Sequence, residues 1–119
     1  MDFTPTGIAM DFNKIFELST SIRYVALYID GKLHTKQRKD LIDASSSESD
    51  RYEELLVNPI LLKLAKQRGD IDCGGARYVI VGYGNFHQLV IDHPMGHISV
   101  CFEPGENPIS FVDQIVSLV

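Results

Sequence analysis

The chain has 119 residues, 45% hydrophobic and 23% charged, and carries a net charge of -5. That is the length of one domain and the make-up of an ordinary globular protein. The acidic balance argues against a nucleic-acid surface, which needs a basic patch, and no apolar run is long enough to span a bilayer.

Met1–Thr6 lacks the basic start and apolar centre of a signal peptide, so a cytoplasmic protein is expected. Residues 1–10 read as a flexible segment ahead of a single domain. Phe12, Ile15, Phe16 and Leu18 come near helical spacing and predict a helix over Phe12–Ile22, with Asp11 as its cap. Arg23–Asp30 reads as a strand and Lys32–Arg38 as its return, joined by Asp30-Gly31, a pair suited to a type I′ turn. Lys39–Ser49 is a polar connection centred on Ser45-Ser46-Ser47. Helix follows from about Ser49 or Asp50. Asn58-Pro59 predicts a break, with Asn58 capping a restarted helix that stops at Gly69.

Arg77–Tyr83, Phe86–Asp92 and His97–Glu103 predict a three-stranded meander, with turns at Gly84-Asn85 and His93–Gly96. These turns pair Tyr83 with Phe86 and Asp92 with His97. One face then carries Tyr78, Ile80, Leu89, Ile91, Ile98, Val100 and Phe102 and is the expected main core. The other face is mixed, with rows Val81–Gln88–Cys101, Val79–Val90–Ser99 and Arg77–Asp92–His97, whose small residues would admit a helix closely. Ile109, Val112, Ile115, Val116 and Val119 predict one face of a last helix over Asn107–Val119. Helices alternating with antiparallel hairpins give an α+β fold, with helices on a central five-stranded antiparallel sheet.

The two hairpin systems differ at their margins. Lys32, His34, Lys36 and Arg38 guard the second strand against pairing, whereas residues 77–83 are apolar on both faces and unguarded. An edge position for that strand predicts pairing between two chains.

Little catalytic chemistry is written in the chain. Cys73 and Cys101 make no CxxC pair and read as a loop thiol and a small strand residue. Cys101 and His97 lie about 13 Å apart along one strand at ~3.3 Å per residue, too far for a dyad. Nucleophile-elbow, HExxH and Walker motifs are absent. Asp92, His93 and His97 flank one turn and have the residue types of a metal site, but tight turns commonly expose histidines, and no metal or cofactor is expected.

This order of elements resembles the Roadblock / dynein light-chain family, whose topology is shared in large part by longin and profilin folds. Tyr28-Ile29-Asp30-Gly31-Lys32-Leu33 looks like that family's first hairpin, Asp50–Arg68 its second helix and Arg77–Glu103 its closing meander. The likeness implies strand order 2-1-5-4-3 with helices on both faces. It also implies a homodimer joined through strand 77–83 and helix 59–68. The expected interface residues are Tyr78, Val79, Ile80, Val81, Tyr83, Leu61, Leu64 and Ala65. The implied role is a non-catalytic scaffold whose partner is a small GTPase or other signalling protein. The alternative is a small-molecule sensor with a PAS- or profilin-like sheet, holding its ligand over the mixed face near Arg77, Gln88, Asp92, His97 and Cys101.

Overall fold

The structure, a computed structural model, describes residues 12–41 and 47–119. Helix α1 (Phe12–Phe16) leads into β1 (Ile22–Ile29) and β2 (Lys32–Gln37). A helical run follows, made of α2 (Ser47–Tyr52), a wide turn (Glu53–Val57) and α3 (Asn58–Asp72). Strands β3 (Tyr78–Gly82), β4 (His87–His93) and β5 (Gly96–Phe102) precede a short 3₁₀ turn and α4 (Val112–Ser117). The five strands form one antiparallel sheet in the order β2-β1-β5-β4-β3, and the class is α+β as expected.

The turns set the register. Asp30 and Gly31 both have positive φ (53° and 78°), as a type I′ turn requires, and Ile29 pairs with Lys32. Tyr83 N–H donates to Phe86 O at 2.9 Å, and Asp92 pairs with His97. The predicted apolar face follows from this alternation. Leu89, Ile91, Ile98, Val100 and Phe102 are buried with Val25, Leu27 and Ile29 of β1, and Tyr78 and Ile80 pack against them. Ile15 of α1 and Val112 and Ile115 of α4 cover this core. The helical run lies on the opposite, mixed face, where α3 packs against β3 and β4.

Four expectations are corrected. The first helix is a short Phe12–Phe16, and Ile22 already belongs to β1. The proposed Asp11 cap, residues 1–10 and Ser45-Ser46 lie outside the described residues, and Ser47 already begins α2. Asn58-Pro59 does not break the helix. Asn58 N–H donates to Glu53 O, five residues back, and the extra residue in that turn accommodates a ring that cannot donate and would crowd an α-helical carbonyl. In the last segment Asn107 Oδ1 accepts from Ile109 N at 3.1 Å and starts a 3₁₀ turn. That tighter winding shifts the phase, so Val112 and Ile115 are buried while Ile109 and Val116 are exposed.

The fourth correction concerns Gly69, which does not end its helix. It is buried inside α3, which runs on to Asp72. Its carbonyl accepts from Cys73 N (2.9 Å) and Gly75 N (3.0 Å), and the chain turns away through Gly74 and Gly75, both with positive φ. A Cβ on Gly69 would stand 2.2 Å from Gly75 O. Gly69→Ala should therefore destabilise the fold by about 1–3 kcal/mol in urea titration, although alanine in a helix interior ordinarily stabilises. A gain in stability would show that the Gly75 carbonyl does not press on this position.

Candidate functional site

Where α2, the wide turn and α3 meet the sheet, the contact is polar. Glu54 is 0% exposed and His97 2%. His97 Nε2–H donates to Glu54 Oε1 at 2.8 Å, and Asn58 Nδ2 donates to the same oxygen at 3.0 Å. Gln88 Nε2 approaches Glu54 Oε2 at 3.5 Å and also donates to Ser99 Oγ. Asn58, Gln88 and Ser99 are themselves buried. A carboxylate taken out of water is tolerated only when donors replace its hydration, and here three side chains from the helix, β4 and β5 do so. The Tyr28 ring lies tilted against His97, with centroids 5.7 Å apart.

Beside this cluster, toward the Tyr83–Phe86 turn, lies a cavity of about 390 Å³. Tyr24, Glu54, Gln88 and Cys101 form its buried floor, and Glu53, Tyr83 and Phe86 are among its half-buried walls. Tyr83 O–H donates to Glu53 Oε2 at 3.0 Å, and the Tyr83 and Phe86 rings meet at a tilt with centroids 5.1 Å apart. Arg23 lies over Phe86 at 5.9 Å and pairs with Glu103 at 3.1 Å. Burial pushes the Tyr24 phenol far above its ordinary range, with the charge of Glu54 adding to it. The Tyr83 phenol is pushed up to about 12, by burial and then by the charge of Glu53. Burial, reinforced by Glu54 and Glu53, raises the Cys101 thiol well above the usual value, so it is held as the thiol and not as a nucleophilic thiolate. Burial also raises the Glu53 carboxyl, against the hydrogen bond from Tyr83.

The candidate ligand residues separate. Gln88 and His97 meet at Glu54, and Gln88 and Cys101 line the cavity. The row Arg77–Asp92–His97 exists in the backbone, but its side chains turn to other partners. Asp92 pairs with Lys66 of α3 at 3.1 Å, and the exposed Arg77 lies over the Tyr78 ring at 5.3 Å. His93 Nδ1 accepts from Met95 N, so Asp92, His93 and His97 each face a different neighbour. Among the described residues no three His, Cys, Asp or Glu side chains converge on a metal-sized point. Glu54 was not singled out in the sequence, although three polar residues on one sheet face signal a polar partner from the helix that covers them.

The sheet's two margins also differ. On β2, Lys32, His34 and Lys36 are exposed. On β3, Tyr78, Val79, Ile80 and Val81 are half-buried, and no strand of the described residues lies beyond them. Because Tyr83 and Arg77 bond toward β4, alternation directs the backbone groups of Tyr78, Ile80 and Gly82 outward. Nearby, α3 exposes Ile60, Leu64 and Ile71 (46%, 60% and 75%), while Leu61 and Ala65 are half-buried. No helix of the described residues is long and apolar enough to cross a membrane. Comparisons with protein-family models, curated proteins and solved structures give no match to this chain.

Removing the buried carboxylate strands its donors. Glu54→Ala should cost about 3–5 kcal/mol in urea titration, and a loss below about 1 kcal/mol would mean that the helix docks without this cluster. Glu53 behaves in the opposite sense. Its carboxyl is raised in the folded state, so its ionised form is a penalty that appears above the folded pKa and fades as pH falls through it. Glu53→Gln should therefore raise Tm at pH 7, with the gain shrinking toward pH 4. An equal gain at both pH values would exclude the charge as its source.

Proposed function

We propose that this chain is a non-catalytic homodimeric interaction module. The observation that carries the proposal is the outward row of backbone groups on β3, which no strand of the described residues pairs, together with exposed apolar residues of α3. Unpaired N–H and C=O groups on an apolar strand are a template for another strand. The guarded β2 margin limits such pairing to one side. An antiparallel pair about a twofold axis near Ile80 would satisfy the outward groups of residues 78, 80 and 82 in both copies. It would extend the sheet across the two molecules and bring Tyr78, Val79, Ile80, Val81 and Tyr83 to the seam, with Leu61, Leu64 and Ala65 alongside. The strand order and the long helix on the mixed face agree with the Roadblock-like reading. On that reading the joined surface receives a small GTPase or other signalling protein.

Sedimentation equilibrium tests the dimer. Leu64 is largely exposed in the single chain, so Leu64→Glu leaves the fold intact while charging the seam. Gly82→Pro removes an outward donor, and the space around Gly82 admits a side chain, with His87 Nδ1 3.5 Å from the added Cβ. Proline at Val81 would instead remove a donor aimed at β4. The wild type should sediment at twice the chain mass, and both variants should shift toward monomer by about tenfold or more in dissociation constant, with unchanged circular dichroism. A monomeric wild type at high micromolar concentration overturns the proposal.

A further inference from the structure

We infer that the cavity between the Tyr83–Phe86 turn and the helical run binds a small organic cation, a primary ammonium on an apolar or aromatic body. Three carboxylate residues line it, Asp50, Glu53 and Glu54, each already engaged by another group, while Arg23, the one lysine or arginine of the lining, is paired with Glu103. One floor residue, Gln88, also holds a buried amide oxygen with no hydrogen-bond partner among the described residues. An amide oxygen only accepts, so it suits a ligand rich in N–H groups. The volume, about 390 Å³, falls in the range of small-molecule sites.

The walls specify the rest of the ligand. Tyr24, Tyr83 and Phe86 supply aromatic surface, and a guanidinium already rests over Phe86 at 5.9 Å. A cation with an apolar body can therefore meet ring faces and carboxylates together. A carboxylate or phosphate ligand would meet like charge on three sides. Neutral apolar ligands would leave the Gln88 amide oxygen unpaired.

Calorimetric titration of the full chain with 2-phenylethylamine, 2-phenylethanol and phenylacetate tests this. The amine should bind saturably, the alcohol at least about tenfold more weakly, and phenylacetate not at all. Amide resonances of Tyr24, Gln88 and Cys101 should shift with the amine. Glu53→Gln should weaken amine binding about tenfold. Asp113→Asn makes the same charge change at an exposed position on α4 and should leave binding unaltered. Asp50→Asn serves as the second cavity variant should Glu53→Gln fail to fold. Equal binding of amine and alcohol, no saturation by the amine at millimolar concentration, or equal weakening by Asp113→Asn would each overturn the inference.

Discussion

The buried carboxylate of Glu54 is the constraint on which the rest of this structure depends. A charge taken out of water demands donors, and they come from three separate elements: Asn58 one turn along the helix, Gln88 on β4 and His97 on β5. Satisfying it fixes how far along the sheet the helical run sits and which way it is rotated. The wide turn at Glu53–Val57 takes up the geometry that Pro59 imposes, and the run stays continuous while Glu54, Asn58 and Leu62 all point at the sheet.

The two faces of the sheet are therefore held by different physics. On one, Ile15, Phe102, Val112 and Ile115 join the strand residues in an apolar core that gains from burial without specifying orientation. On the other, a helix with only Leu62 as a large buried apolar side chain is registered by polar contacts. The helix spends its apolar residues outward instead. Tyr52, Leu56, Ile60 and Leu64 face away from their own sheet, an inversion of the usual amphipathic arrangement.

That inversion explains what the sequence did and did not make legible. Strands, turns, register and the unguarded margin were readable because they rest on local rules: a period of two, the φ demands of Asp30-Gly31 and the reach of a two-residue turn. The polar cluster was not, because helical periodicity assumes that apolar residues face inward, and here Ile60 and Leu64 mark the outer face. Gly69 misled for a related reason. A glycine in a helix signals either a stop or a close approach, and only the returning Gly75 carbonyl tells which. Asp92 read as a member of a cross-strand row because the strand pattern cannot show Lys66 arriving from the helix. Gln88, Cys101 and His97 were correctly placed on the mixed face, yet the partner joining two of them, Glu54, was hidden in the helix.

The same helical run borders both surfaces proposed above. Glu54 lies on the floor of the cavity and also seats the helical run, while α3 of that run exposes Ile60, Leu64 and Ile71. A cation near Glu54 would draw on the carboxylate that His97 and Asn58 already share, and any change in that sharing acts on the rotation of the run. On the two proposals, binding and assembly meet in one helical run, and thermodynamic reciprocity would make any coupling between them equal in both directions.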